Sequence, residues 1–167
     1  MSDPSSELST RVRKLEDADA IRALKSRYFF SCDRKDPKAV RACFVDGKMV
    51  IDYGAVGSFD NADAMVKIFT DVGCHPHMVE MHHGANPQIE VLDETHAKGK
   101  WSLHYFLINT QTKTLTQLGG EYEDEYVKQS GVWKIAKTKF VCTSTLAMDL
   151  SDATPKTMFA GRTPPAA

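Results

Sequence analysis

The chain has 167 residues, 42% of them apolar and 26% charged, with a formal net charge of −1 at pH 7. This fits one globular domain with its own core and leaves out a surface charged for nucleic acid or an anionic membrane. No apolar run approaches the ~18 residues needed to span a bilayer, and the polar start MSDPSSELST lacks the layout of a secretory signal, so a cytoplasmic location is expected.

Residues 1–10 are expected as a flexible N-terminus and 11–150 as a single domain. The first predicted helix runs from Asp17 to about Cys32, with Asp17 or Asp19 as cap. Ala20, Leu24 and Tyr28 recur at four-residue spacing beside Ile21, and Arg22, Lys25 and Arg27 fall on the exposed side. A second, short helix follows RKDP, with Asp36 as cap, Pro37 in its first turn, and Val40, Cys43 and Phe44 facing inward. KMVIDYGAV then predicts a strand. SFDNADAMVKIFTDV predicts a third helix, capped by Asn61 or Asp60, with Met65, Ile68 and Phe69 as its apolar face. After Pro76 four strands are expected, at 77–92, 96–110, 114–128 and 132–148, joined by short polar turns as an antiparallel meander. The tail from 151 to 167, rich in Pro, Thr and Ala, is expected on the surface or on a neighbouring subunit. Helices followed by long, bent strands define an α+β fold: a cone-shaped, curved, mixed or antiparallel sheet wrapped around the N-terminal helices and enclosing an apolar pocket.

Cys32, Cys43, Cys74 and Cys142 lie far apart with no CxxC, which predicts reduced thiols rather than a zinc knuckle or a disulfide framework. His75, His77, His82 and His83 supply imidazoles, but no carboxylate is spaced to complete a metal site, so no metal is expected. Walker, Rossmann and G-x-S-x-G patterns are missing from the sequence, which argues against nucleotide, flavin and serine-nucleophile chemistry.

EMHHGANPQIEV places His82 and His83 side by side in an extended stretch, so one faces the enclosure and the other faces away. In KWSLHYFLIN, Trp101, Leu103, Tyr105 and Leu107 share a large apolar face suited to lining a pocket. Ser102, His104, Phe106 and Ile108 share the other. Across a regular hairpin His82, not His83, joins the pocket face; Gly84 and Pro87 mark where a bulge can reset that parity.

Several segments resemble the SnoaL-like branch of the nuclear transport factor 2-like (cystatin-like) superfamily, and most closely its cofactor-free lyases. SCDRKDPKAVRACFVDGKMVIDY resembles a scytalone dehydratase segment, which implies a pocket aspartate at Asp33 and a pocket tyrosine at Tyr53. Tyr28, five residues before Asp33, matches the catalytic tyrosine of the bile-acid dehydratase. HHGAN resembles a His-x-x-x-Asn pattern and selects His82 as the catalytic histidine. EDEYVKQSGVWKIAKTKFVCTS resembles the end of hexachlorocyclohexane dehydrochlorinase, whose pocket arginine falls near Lys139. Tyr105 stands near a position where both dehydratases carry a histidine or an aspartate.

The resemblance implies a lyase without a cofactor, with His82, Asp33 and Tyr28 as catalytic residues and Tyr53, Trp101, Leu103, Tyr105 and Lys139 against a hydrophobic substrate. A carboxylate that accepts the Nδ1 proton of a histidine leaves Nε2 as a base. Such a base serves dehydration, and equally loss of hydrogen halide or of formaldehyde. A double-bond isomerase, or a ligand-binding module without catalysis, remains an alternative. Related lyases are trimers, and Phe106 and Ile108 make an apolar outward face. A homotrimer is therefore expected, with a dimer as the second choice.

Overall fold

The computed structural model describes residues 4–151. Helix α1 (Pro4–Asp33) begins with a proline, which the first turn tolerates, and is thirty residues long. It starts thirteen residues earlier than expected, so residues 4–10, expected as a flexible leader, are helical. Its buried stripe is Asp17, Ile21, Leu24, Lys25, Tyr28, Phe29, Ser31 and Cys32. Two expectations are corrected here. Asp17 is not a cap but a buried mid-helix acceptor for the Trp133 indole at 2.9 Å. Lys25 is not solvated but fully buried.

Helix α2 (Pro37–Ala42) follows at once. Asp36 caps it by accepting from the Ala39 amide at 2.9 Å, as expected. The predicted first strand shrinks to β1 (Val50–Asp52), because the chain turns through a 3-10 turn at Gly54–Val56 and returns as β2 (Ser58–Phe59). Helix α3 (Ala62–Ile68) is capped by Asn61 and widens into a π-helical turn at Phe69–Gly73. The four expected meander strands follow within two residues of their predicted ends: β3 (Met78–Val91), β4 (His96–Asn109), β5 (Thr114–Gln129) and β6 (Val132–Asp149).

The six strands form one curved, unclosed sheet in the order β2-β1-β6-β5-β4-β3. Only the β1–β6 pairing is parallel. α1 packs along β3 and across to β6, burying its stripe against inward residues of every long strand: Val91, Ala97, Trp101, Leu103, Tyr122, Tyr126, Trp133 and Ile135. No described helix is long and apolar enough to cross a membrane.

Candidate active site

The end of α1 is built as a Schellman motif. The Lys35 amide donates to the Cys32 carbonyl and the Asp36 amide to the Ser31 carbonyl, both at 3.0 Å. Lys35 therefore takes the left-handed conformation usually left to glycine, with φ of 57°. This turn delivers Asp33 and Lys35 to the edge of the sheet where β3 runs.

β3 is that edge strand, and its outward amides need partners. Asp33 supplies one: its carboxylate accepts from the His82 backbone amide at 3.1 and 3.3 Å. The same carboxylate lies 2.6 Å from His82 Nδ1, so strand edge and imidazole are held by one group. Because the His82 amide points away from β4, His82 and Tyr105 form the closer, non-hydrogen-bonded kind of cross-strand pair. Their rings are 4.8 Å apart. Phe29 stacks on the other side of the imidazole at 5.7 Å, 13° from parallel. The side chains of His82 and Asp33 keep 14% and 17% of their exposure. Among the described residues nothing hydrogen-bonds to His82 Nε2.

Tyr28 and Tyr53 meet through their hydroxyls at 2.9 Å. Burial raises both phenols above their ordinary range, and their mutual proximity adds to this for Tyr28, so they stay neutral hydrogen-bonding groups. Beneath them lies a buried polar network. Asp124 accepts from Thr138 and Tyr126, each at 2.7 Å, and Tyr126 accepts from the Trp101 indole at 2.9 Å. Lys25 Nζ sits 2.7 Å from Asp124, an oblique ion pair rather than an aligned hydrogen bond. It also lies 3.6 Å from the centre of the Tyr122 ring.

Of the residues singled out in the sequence, Asp33, His82 and Tyr105 come together directly. Tyr28 and Tyr53 form a second pair, joined to the first through Phe29, whose ring is 5.5 Å from that of Tyr28. Leu103 is buried opposite Gly84, next to Tyr105 along the same face, and Trp101 is buried with its indole in the deep network. Lys139 is the exception. A bulge after Ala136 turns Thr138 and Phe140 inward, so Lys139 is exposed on the outer face opposite Glu123. The expectation that it lines the pocket is corrected.

Sequence reading passed over Asp124 and Glu80, and set Lys25 on the exposed face. Glu80 was accessible to it, since it lies two residues before His82 and so shares its face. Its carboxylate accepts from the Tyr105 hydroxyl at 2.6 Å and pairs with Lys35.

Helices packed on the inner face of a curved, unclosed mixed sheet make a cone of the nuclear transport factor 2-like fold. Within it the chain belongs to the SnoaL-like domain family, whose model matches residues 13–139. Among solved structures it is similar to a candidate scytalone dehydratase of Novosphingobium aromaticivorans, at 23% identity over 87% of this chain and 99% of that one, TM-score 0.75. It is also similar to a type 2 hexachlorocyclohexane dehydrochlorinase, at 16% identity over 87% and 97%, TM-score 0.76. The type 3 enzyme of Novosphingobium barchaimii matches at 16% over 87% and 99%, TM-score 0.74. At these identities the likeness is one of fold.

Proposed function

We propose that the protein is a cofactor-independent lyase that eliminates a small leaving group, by default water, from a hydrophobic aromatic or polycyclic molecule. The observation that carries this reading is the His82–Asp33 pair: an imidazole with Nδ1 2.6 Å from a carboxylate, stacked on an aromatic ring, with Nε2 unengaged among the described residues. Donation of the Nδ1 proton to Asp33 leaves the Nε2 lone pair as a general base. Nε2 takes a proton from a carbon beside a carbonyl, the C–H electrons become the new double bond, and the carbon–oxygen bond breaks. The imidazolium then returns its proton to the departing oxygen, and the histidine is regenerated. Tyr28, coupled to Tyr53, polarises the carbonyl as a neutral donor. Trp101, Leu103 and Tyr105 hold the apolar body of the substrate.

The test is turnover of aromatic β-hydroxy ketones, followed by the near-ultraviolet band of the conjugated product. His82→Ala is expected to abolish most turnover with the fold intact. Asp33→Asn presents the wrong tautomer and is expected to lose about 10⁴-fold, by analogy with the serine-protease triad. The double variant should be little worse than His82→Ala, since the two act as one unit. Full activity in His82→Ala would move the reading to a ligand-binding module.

The reading includes a homotrimer. The outer face of the sheet divides sharply. Near the β3–β4 turn it carries charged pairs, Lys100–Glu123 and Lys137–Glu125, each at 3.0 Å. At the far end it presents Met81, Phe106, Ile108, Leu115, Leu146 and Met148, of which Leu146 is 53% and Met81 42% exposed. A contiguous apolar face of this kind supports association. A stable monomer at micromolar concentration in sedimentation would sink the assembly.

A further inference from the structure

Directly across from His82, the Tyr105 hydroxyl donates to Glu80 Oε2 at 2.6 Å. The other Glu80 oxygen pairs with the Lys35 ammonium, and these two side chains keep only 10% and 20% of their exposure. The direction of the Tyr105–Glu80 bond follows from the chemistry of the partners. A carboxylate paired with an ammonium accepts and does not donate, and a phenol has a single proton to give. With that proton committed to Glu80, the Tyr105 oxygen offers the site lone pairs only. Burial first, then the charge of Glu80 and more weakly that of Asp33, hold the phenol above its ordinary range, so it keeps the proton it shares with Glu80.

We infer that Glu80 is a positioning residue that holds Tyr105 as a hydrogen-bond acceptor beside His82, and that the pair selects substrates whose leaving group is itself a donor: β-hydroxy carbonyl compounds rather than their halides. The inference rests on the lyase reading above and gives its leaving group a chemical class. In the step, the Tyr105 oxygen accepts the hydrogen of the substrate hydroxyl. This turns a lone pair of the hydroxyl oxygen toward the proton that Nε2 has taken from carbon. The carbon–oxygen bond breaks with its electrons on oxygen, the Nε2 proton joins that oxygen, and water leaves. A halide has no hydrogen to give Tyr105, so two electron-rich atoms face each other and the buried phenol oxygen goes unpaired, a penalty that discriminates strongly at polar sites.

Two probes isolate the effect. 4-Hydroxy-4-phenylbutan-2-one and 4-fluoro-4-phenylbutan-2-one give the same conjugated enone, and fluorine occupies nearly the volume of the hydroxyl without its proton. kcat/KM for each, corrected for its uncatalysed rate, is measured in the wild type, Tyr105→Phe and Glu80→Gln. Tyr105→Phe is expected to lower the alcohol roughly ten- to a hundredfold more than the fluoride. In Glu80→Gln the carboxamide can donate to the phenol oxygen and release its O–H toward the site, so the alcohol-to-fluoride ratio should fall by about tenfold or more. General loosening of the site would lower both probes alike, and an unchanged ratio in both variants overturns the inference. His82→Ala separates the two levels. Turnover that survives it overturns the lyase reading, whereas turnover lost in His82→Ala with an unchanged ratio in Tyr105→Phe overturns the role of Glu80 alone. Calorimetric affinities of both probes for His82→Ala, with and without Tyr105→Phe, give the ratio in the absence of chemistry. Equal affinity, or none for either probe, also overturns the inference.

Discussion

Removing Asp124 puts the buried network under its severest strain. Lys25 and Asp124 are both fully buried, 2.7 Å apart, and Asp124 also accepts from Thr138 and Tyr126. In Asp124→Ala the Lys25 ammonium keeps only aromatic faces for company, that of Tyr122 at 3.6 Å being the nearest. Stranding one member of a buried pair costs about 3–5 kcal/mol, and a hydroxyl that loses its acceptor adds about 1 kcal/mol. The expected loss is therefore about 5 kcal/mol, comparable to the whole stability of many domains of roughly this size. Lys25→Met should lose less, about 2 kcal/mol, because Asp124 retains its two hydroxyl donors and the methionine fills the stem volume. The double variant should be more stable than the sum of the singles by about 2 kcal/mol or more, since it strands no charge. Guanidinium unfolding with comparison of slopes measures all four forms, and Asp124→Asn replaces the alanine variant where that does not fold. Burial lowers the Lys25 pKa below 10.5, so the unfolded chain keeps this proton to higher pH than the native one. The contribution of Lys25 to stability therefore rises as pH climbs from its lowered native value toward 10.5. Additivity within about 0.5 kcal/mol would refute the coupling.

Two further outcomes follow from local geometry. A Cβ on Gly84 would lie 2.3 Å from Phe29 Cε2. Gly84→Ala is thus expected to cost about 1–3 kcal/mol and to push Phe29 off the His82 imidazole, lowering turnover more than thermal stability alone explains; unchanged kcat would contradict the support assigned to that ring. At the β3–β4 turn, Asp93 accepts from the amides of Thr95 and His96 at 2.7 and 2.8 Å, which hold its carboxyl down at about 2 against an ordinary 3.8. Its stabilisation of the turn is present above 3.8 and is lost as pH falls through about 2. Hydrogen exchange at the Thr95 and His96 amides should lose protection over that interval, and protection unaffected by it would count against the turn.

The meander was legible because apolar alternation recurs in four strands and short polar turns join them at three breaks, each with its own turn residues. The first half of α1 was not, since Leu8, Val12 and Leu15 are exposed and no packed face marks where the helix begins. Lys25 has the composition of a solvated helix face; its partner lies 99 positions away on β5, beyond any local pattern. Asp33 was singled out by family resemblance, and His82 by resemblance together with the parity expected of a regular hairpin, but the hairpin is not regular. The Val91–Ala97 register, continued without a break, would set His83 rather than His82 opposite Tyr105. Lys139, placed by resemblance alone, is turned outward by a second bulge, and a bulge leaves little mark in composition.

The interruption between Ala85 and Gln88 therefore acts as a phase shifter for the strand. Before it the even-numbered residues Glu80, His82 and Gly84 face inward; after it the odd-numbered Ile89 and Val91 do. Asn86 accommodates the insertion, with φ of 51° in the left-handed region that asparagine tolerates better than most residues. The two neighbouring histidines are thus interchangeable in chemistry and separated by a single count. Were the extra residue paired in line instead of bulged, the core would keep Ile89 and Val91 where they are, and the inward place beside Tyr105 would pass to His83. The imidazole of His82 would then stand in the outer row that His83 now shares with His104. In this chain the bulge between turn and histidine decides which of two adjacent imidazoles meets Asp33 as much as the histidine itself does.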